Sequence, residues 1–428
     1  MKVKAIKKND LSILIVTNEP EFRLACMNKL VAFLFNILIV FTSFFSLGQD
    51  NTNTITGQLF DAESQTPISF ASIYINGAPI GTTSNEDGFF TFHFPSNYKS
   101  SKITISMIGY SSINKLADEF KKNEKLYLDP QVSQLNEVVL IASKKKPLTA
   151  KQVVKKAYRA IKSNYPDEPY NLDGFVRDLQ NEDNVYVEYL ECAVKFSYQP
   201  QQIRIEPQVE LVEVRRNYIA QKNSWNDDWD RKNSVIDLVE DDCIRFDYGP
   251  IRPKGGWRFE IEAVLPYNNR YVYKIIGKDS PFQTAVLYID TETFAFVRIE
   301  LTREAVNGRS WKRRLTNGQE QVYYNVVFEY QEYEGKMYLK YQKEEDSWKI
   351  YDTKDTNRLL FTKHPKKELF VNKIITDVKL DSFKQNMNHT TSIENQAKEY
   401  NPIFWETYNA PQQTKTISKI EKELKKTR

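Results

Sequence analysis

Histidine, cysteine and glycine are scarce in this chain, and their scarcity argues against several kinds of active site. Among 428 residues there are three histidines, three cysteines and 14 glycines. The histidines (His93, His364 and His389) lie in unrelated segments, and the H-x-x-E, H-E-x-x-H and C-x-x-C patterns of zinc sites are missing. So are the G-x-S-x-G, P-loop and G-x-G-x-x-G motifs. The sequence therefore predicts a non-catalytic protein without a cofactor or metal site.

A hydrolase assembled from distant residues stays open as an alternative, because sequence spacing does not reveal such a site. Two acidic clusters, at residues 227–230 and 240–242, contain carboxylates that calcium could use. Neither cluster has the D-x-D-x-D-G spacing of a calcium loop. We interpret both clusters as solvated loops.

The charge of the chain is close to balanced. It has 60 Lys and Arg against 56 Asp and Glu. Residues 1–48 hold six of these cations and three of these acids, so the remainder has 54 against 53. Such a balance leaves no excess of positive charge to attract nucleic acid, and we expect no nucleic-acid partner.

The N-terminal segment predicts export. Lys29 precedes an apolar run from Leu30 to Leu47, and Ser46 and Gly48 occupy the −3 and −1 positions of a cut before Gln49. Residues 1–48 are interpreted as a leader plus signal peptide, with Met27 as an alternative start. The run is also long enough for a membrane anchor. Cleavage would leave no transmembrane span, and the mature protein would lie in the periplasm or at the outer membrane.

Two cysteines, Cys192 and Cys243, follow the predicted cleavage site. A disulfide between them would close a loop of about 50 residues and contribute about 4 kcal/mol in the chain-entropy account. Two buried free thiols in separate strands are the alternative, because the sequence does not place the two Cβ atoms.

Short alternating strands and frequent turns characterise residues 55–110. Turn residues recur about every ten positions, which predicts an all-β sandwich. The stretch Asn85–Gly88 predicts one such turn, with Gly88 at a positive φ.

Residues 55–140 resemble the carboxypeptidase regulatory-like domain, a small transthyretin-like sandwich. Twelve residues follow the order of the family pattern: Gly57, Asp61, Pro67, Ala71, Ile73, Ile75, Gly81, Thr82, Thr83, Asp87, Gly88 and Phe90. The resemblance implies a seven-stranded sandwich of the kind found in envelope proteins of the Bacteroidota. In carboxypeptidases this module is the non-catalytic companion of the zinc domain, so a docking or spacer role is implied.

The segment Leu135–Pro147 leads out of this region. It resembles the stretch that follows the same sandwich in TonB-dependent receptors, where it is offered to TonB as an added strand. A role as accessory factor of an outer-membrane transport system is therefore an alternative function. The other interpretation is a last strand or tether, with residues 141–148 as a linker.

A helix followed by many strands is expected for residues 149–400. Thr149 is a plausible N-cap, and Val153, Val154 and Ala157 begin an apolar stripe. Alternating segments downstream predict an antiparallel sheet with one solvated face, and residues 290–293 predict a hairpin turn.

Residues 149–375 resemble the LolA/LolB-like half-barrel, in which a curved sheet wraps a helix and holds lipid. The fold class predicted for the whole chain is mainly β. A seven-stranded sandwich is followed by a larger antiparallel sheet, or half-barrel, packed on a helix, and residues 401–428 form a helical tail.

Six residues of the larger region are candidates for ligand contact. Arg252 and Trp257 lie in a Pro- and Gly-rich loop that could meet an anionic group. Aromatic side chains of the predicted strands could line a pocket for acyl chains or sugars: Tyr271, Tyr273, Tyr324 and Phe328. A filled core against the helix is the alternative for these aromatic residues. The leading hypothesis is a non-catalytic envelope protein whose larger domain binds a lipid or an outer-membrane protein partner.

Overall fold

A computed structural model of the chain describes a defined set of residues. These are residues 2–8, 11–17, 52–131, 147–219, 235, 238–239, 242–253, 256–307, 309–311, 318–355, 357–379, 387–388, 393, 396 and 399–426. The chain divides into two compact units, Met1–Asn51 and Thr52–Arg428. In the first unit, β1 (Lys2–Lys8) pairs with β2 (Leu11–Thr17) in an antiparallel hairpin. The predicted signal segment, the segment Leu135–Ala142 and the acidic cluster at 227–230 lie outside the described residues.

The second unit begins with a sandwich of seven strands, as the sequence predicted. One sheet has the order β6-β3-β9, with β3 antiparallel to β6 and parallel to β9, and the other has the order β5-β4-β7-β8. The strands are β3 (Thr52–Asp61), β4 (Ser72–Ile75), β5 (Gly81–Thr83), β6 (Phe89–Pro95), β7 (Lys102–Ser106), β8 (Ile113–Leu116) and β9 (Glu124–Leu128).

Alternate residues of these strands form the core of the sandwich. Leu59, Ile73, Phe90, Phe92 and Ile105 are fully buried between the two sheets. Strand periodicity places every second side chain on one face, so the alternating sequence yields one apolar layer per sheet.

The turn at Asn85–Gly88 forms as expected. Gly88 has a φ of +77°, and a Cβ there would lie 2.5 Å from the Leu59 carbonyl oxygen. Asn85 Oδ1 accepts hydrogen bonds from the backbone N–H groups of Asp87 and Phe89. Glycine is required at this position by both conformation and space.

The rest of the second unit is dominated by a ten-stranded antiparallel sheet. Its order is β12-β11-β10-β19-β18-β17-β16-β15-β14-β13, so β12 and β13 are its edges and the described strands do not close a barrel. The strands are β10 (Tyr170–Glu182), β11 (Val185–Tyr198), β12 (Gln208–Ile219), β13 (Arg258–Tyr267), β14 (Arg270–Ser280), β15 (Gln283–Asp290), β16 (Phe296–Glu304), β17 (Gln319–Tyr333), β18 (Lys336–Tyr351) and β19 (Leu359–Ile375).

Helix α1 (Ala150–Asn164) packs on one face of this sheet. Thr149 caps it: the Thr149 side chain accepts from Gln152 N, while the Gln152 side chain accepts from Thr149 N. Val153, Val154 and Ala157 are fully buried in the large core. Because Ala157 follows Val154 by three positions and Val153 by four, the three residues form a single apolar stripe that faces the sheet.

The prediction of one solvated face is wrong for the central strands. Phe175, Tyr341 and Phe370 lie on the face opposite α1 and are buried in a second apolar cluster. Phe70 of the sandwich stacks on the ring of Tyr341 at 5.3 Å, and Trp405 packs edge-on against the ring of Phe175 at 6.3 Å. The sandwich and the C-terminal segment therefore cover what the sequence pattern suggested was exposed. Towards the β13 edge, exposed residues such as Glu260 and Glu262 fit the prediction.

Charged side chains are also buried on this covered face. Arg177 donates two hydrogen bonds to Glu191 Oε1, at 3.0 and 2.9 Å, and Glu191 Oε2 accepts from Arg215. Desolvation works to lower the pKa of Arg177, but the charges of Glu191 and Glu368 and the hydrogen bonds to Glu191 act together against it and raise that pKa. Lys366 binds Glu86 of the sandwich at 2.7 Å. Because Arg177 and Arg215 are both paired with Glu191, water can be excluded from this face without leaving these charges unpaired.

The C-terminal segment joins the sandwich to the large sheet. Helices α3 (Pro402–Thr407) and α4 (Lys415–Lys426) follow the short helix α2 (Cys243–Phe246) in the chain. Tyr408 Oη donates to Gly174 O of the sheet at 2.7 Å, and Asn409 Nδ2 donates to His93 O of the sandwich at 2.9 Å. In α4, Ile417, Ile420 and Leu424 pack beside Leu179 and Tyr189 of the large sheet. Within the described residues, the helices are too short or too polar to cross a bilayer.

Replacing Trp405 by alanine should weaken the covered face. Trp405 is 8% exposed and contacts Phe175, so Trp405→Ala should lower the free energy of unfolding by about 3 kcal/mol. Ile403→Ala on the same helix is the control, because Ile403 is 75% exposed and its loss should cost at most about 0.5 kcal/mol. Urea unfolding followed by far-UV circular dichroism measures the free energy of unfolding of both variants. This signal comes from the backbone and does not depend on the tryptophan that is replaced. Equal effects of the two substitutions would contradict the packing.

The two thiols should be free and unreactive in the folded protein. Cys192 and Cys243 are buried and unbridged, and burial raises the pKa of the Cys192 thiol. Iodoacetamide should modify neither cysteine in native buffer, and it should modify both in urea without a reductant. Peptide mass spectrometry measures the modified fraction of Cys192 and Cys243 and distinguishes both from Cys26. Recovery of a disulfide-linked peptide containing both residues would contradict this expectation.

Candidate ligand-binding site

The six predicted ligand residues occupy different environments. Tyr324 and Phe328 are buried in the large core, at 8% and 1% exposure. Tyr273 and Trp257 are partly buried at the margin of the same core, and Trp257 stacks on Phe259 with ring centres 6.2 Å apart. Tyr271 is 45% exposed on β14. Four of the six therefore contact one core, while Tyr271 and Arg252 lie outside it.

Arg252 belongs instead to the surroundings of an open cavity of about 390 Å³. The cavity lies between the C-terminal half of α1, the loop at residues 199–207 and helix α2. Its lining residues are Tyr158, Arg159, Ile161, Lys162, Gln201, Gln202, Arg204, Ile244 and Asp247. This size falls within the range of small-molecule pockets, about 300–1,000 Å³.

The exposed side of α1 is cationic along its length. Residues 150–164 contain five Lys and Arg and no Asp or Glu. All five are exposed: Lys151, Lys155, Lys156, Arg159 and Lys162. Two of them, Arg159 and Lys162, line the cavity, and neither forms an ion pair with the part of the chain that the structure describes. The helix therefore presents uncompensated positive charge at the cavity mouth.

A buried arginine fixes the shape of the loop at residues 199–207. Arg245 is 1% exposed and lies over the ring of Tyr198, with its guanidinium carbon 4.9 Å from the ring centre. Its guanidinium donates hydrogen bonds to three loop carbonyls, those of Gln199 (3.2 Å), Ile203 (3.1 Å) and Ile205 (3.0 Å). These charge-assisted bonds hold the loop in one conformation and position Arg204 beside the cavity.

Asp247 organises the cations on this side of the cavity. It takes a φ of 54° as the C-cap of α2, and its Oδ2 lies 2.9 Å from Arg204 and 3.1 Å from Arg252. Partial desolvation works to raise the pKa of Asp247, but hydrogen bonds from Arg252 and Tyr158 and the charge of Arg204 outweigh it and lower that pKa. Asp247 is therefore ionised at neutral pH and cancels one of the surrounding positive charges.

The resulting site has a net positive rim and an apolar wall. Ile161 and Ile244 supply the apolar surface, while Arg159, Lys162 and Arg204 surround it. Such a combination can hold an anionic group together with a short apolar portion. Sequence reasoning found Arg252 at the edge of this region but missed the other cations. The absence of Asp and Glu from residues 150–164 could have indicated the cationic helix from the sequence alone. The role of Arg245 could not have been predicted in this way, because it depends on contacts some 40 residues away in the chain.

Comparison with known proteins identifies the first module. Residues 55–140 match the family model described as CarboxypepD_reg-like domain, which confirms the resemblance predicted from the sequence. A search of curated proteins found no match.

Solved structures similar to this chain cover a little more than half of it. A LolA superfamily protein from Nitrosomonas europaea is 10% identical, covers 56% of this chain and 99% of its own, and has a TM-score of 0.21. A putative outer membrane lipoprotein-sorting protein domain from Vibrio parahaemolyticus is 10% identical over 56% of this chain and 99% of its own, with a TM-score of 0.26. A DUF1329 family protein from Desulfovibrio piger is 9% identical over 55% of this chain and 95% of its own, with a TM-score of 0.27. At these TM-scores the similarities carry no argument about function.

Removing the guanidinium of Arg245 should loosen the loop at residues 199–207. In Arg245→Met three carbonyls lose their donor, and amide hydrogen exchange in this loop should accelerate at least tenfold, or about 1.4 kcal/mol. Hydrogen-exchange mass spectrometry measures this, and the hairpin turn at residues 290–295 is the internal control. Unchanged exchange at residues 199–207 would show that Arg245 does not hold the loop.

Proposed function

We propose that this protein is a non-catalytic component of the cell envelope whose larger domain binds an anionic amphiphile. The head group, a carboxylate or phosphate, lies against Arg159, Lys162 and Arg204, and the apolar portion lies on Ile161 and Ile244. The observation that supports this most directly is the pairing of three cations with an apolar wall around one cavity.

The charge arrangement favours a monoanionic or dianionic head group over a neutral one. Arg204 is paired with Asp247, but Arg159 and Lys162 have no ionic partner among the described residues. A bound anion would supply that partner in a partly enclosed site, where ionic hydrogen bonds are stronger than on open surface. The resemblance of residues 149–375 to the lipid-holding half-barrel, noted from the sequence, points in the same direction.

The sandwich is proposed as the docking or spacer module, and residues 1–48 as the export signal. In this proposal the sandwich covers the outer face of the large sheet through Phe70 and Glu86, while the cavity beside α1 belongs to the larger domain. Binding and docking would then use different surfaces, so a partner could occupy the sandwich without closing the cavity.

Reversing the two unpaired cations of α1 should abolish amphiphile binding. With a fluorescent fatty acid as the probe, the double variant Arg159→Glu, Lys162→Glu should raise the dissociation constant at least tenfold, because both attractive charges become repulsive. The double variant Lys415→Glu, Lys422→Glu makes the same change on exposed positions of α4 and should leave binding intact. Fluorescence titration measures the dissociation constant of the unmodified protein and of the two double variants.

Two further results would decide the proposal. A fatty alcohol of the same chain length should bind the unmodified protein more weakly than the acid, because the site selects the anionic head. If the α1 variant binds the fatty acid within twofold of the unmodified protein, or if the alcohol binds equally well, the site is not the one described.

A further inference from the structure

A second concave site lies where the sandwich meets the large sheet. Two neighbouring cavities, of about 370 and 220 Å³, share three lining residues, Tyr74, Gly77 and Asn268. They are therefore parts of one groove, which we call the junction groove. Its walls come from β4 and the segment after it in the sandwich, and from the β13–β14 turn and the end of β17 in the large sheet. The groove is on different elements from the cavity beside α1.

Neutral amide groups are concentrated along the smaller part of the groove. Asn76, Asn114, Asn268 and Asn269 all line it, together with Thr104. The Thr104 hydroxyl lies 2.5 Å from Asn76 Oδ1 and 2.7 Å from Asn114 Oδ1. Because a hydroxyl carries one hydrogen, Thr104 donates to the oxygen of one of these amides and accepts from the NH₂ group of the other. Each amide then keeps at least one N–H that can donate to a ligand.

The β13–β14 turn brings two more amides to the groove. Tyr267 pairs with Arg270, so Asn268 and Asn269 form a two-residue turn, with φ values of 48° and 61°. Asn268 Oδ1 is buried and receives no hydrogen bond from the described residues. A buried acceptor without a donor costs about 1–3 kcal/mol, so a ligand hydroxyl that donates to it would be favoured.

The charges of the groove disfavour an anionic ligand. Arg270 is its cation, and that guanidinium is already ion-paired with Glu332 and with Asp290, the latter at 3.4 Å. Glu334 also lines the groove and adds a negative charge. An anion would therefore meet carboxylates and no free cation.

Tyrosine rings complete the lining. Tyr74, Tyr267 and Tyr333 all border the larger part of the groove. Desolvation raises the pKa of Tyr74, so its phenol is neutral at physiological pH and can both donate and accept. Aromatic rings beside amide and hydroxyl groups offer apolar contact for C–H faces and hydrogen bonds for hydroxyls in the same site.

We propose that the junction groove binds a neutral saccharide. Polyhydroxylated sugars supply the hydroxyl donors that Asn268 Oδ1 needs, the acceptors that the amide NH₂ groups need and the C–H faces that tyrosine rings contact. A sugar bound here would touch the sandwich and the sheet together and would strengthen their association. This goes beyond amphiphile binding, because it uses other residues, another ligand class and both modules.

The test removes the turn amides while keeping the turn. The double variant Asn268→Gly, Asn269→Gly retains positive φ values without strain and deletes both side chains. Asn184→Gly is the matched control, since Asn184 has a φ of 67° in the β10–β11 turn, away from the groove. The probes are four neutral disaccharides: N,N′-diacetylchitobiose, cellobiose, maltose and mannobiose. Binding is measured by saturation-transfer NMR and calorimetry.

At least one disaccharide should bind the unmodified protein and raise its melting temperature. Its affinity should fall at least tenfold in the Asn268→Gly, Asn269→Gly variant and stay unchanged in Asn184→Gly. Asn114→Ala, at an exposed position, should also weaken binding and serves if the double variant does not fold. The proposal is overturned if no disaccharide binds at millimolar concentration, or if binding survives the loss of the amides.

The α1 double variant, Arg159→Glu with Lys162→Glu, separates this inference from the proposed function. Saccharide binding should persist in that variant while fatty-acid binding is lost. Loss of saccharide binding in it would contradict an independent junction groove.

Discussion

Burial of the central strands of the large sheet on both faces is the constraint on which the rest of the structure depends. One face packs against α1, and the other is dried by the sandwich and the C-terminal segment. Such burial is costly for a strand that carries charge, because an unpaired ion there would lose several kcal/mol of hydration. The chain meets the constraint by pairing: Arg298 Nη1 and Lys340 Nζ bind Glu329 at 3.0 and 2.8 Å, and Lys340 also donates to Ser72 of the sandwich. The sandwich therefore supplies polar contacts that water would otherwise make. Removing it would expose Tyr341 and Phe370, on which Phe70 packs, and would take the Ser72 hydroxyl from Lys340.

Local patterns predicted the elements but not the way they cover one another. The capping box at Thr149, the stripe on α1 and the turn at Gly88 are short-range features, and each formed as expected. The alternating segments were interpreted as having one solvated face, and Glu191 belongs to such a segment. Arg177 and Glu191 are nevertheless both buried. Their burial follows from partners far away in the chain, which a strand period of two residues does not reveal.

Because local patterns do not reveal contacts between distant residues, the sequence could indicate only part of the two candidate sites. The acid-free helix could have been noticed in the sequence, because a run of five cations without a carboxylate is unusual for a simple solvated face. Arg245 and Asn268 could not, since their importance comes from three carbonyls of a distant loop and from an acceptor left without a donor at the meeting of two modules. Trp257 and Tyr273 pack against the margin of the large core. An aromatic residue in this region of the sequence was therefore compatible with burial as well as with ligand contact.

The connection made by Tyr408 and Asn409 gives the C-terminus a role in the timing of folding. Tyr408 reaches the second-module residue Gly174, and Asn409 reaches His93, more than 300 positions earlier. Contacts of such separation close late, because the intervening chain must first be ordered. Both modules precede these residues in the chain, so the two hydrogen bonds can form only after each module is in place. A variant without residues 402–409 would lose both bonds and the contact of Trp405 with Phe175, and chaperones could then bind the uncovered aromatic surface.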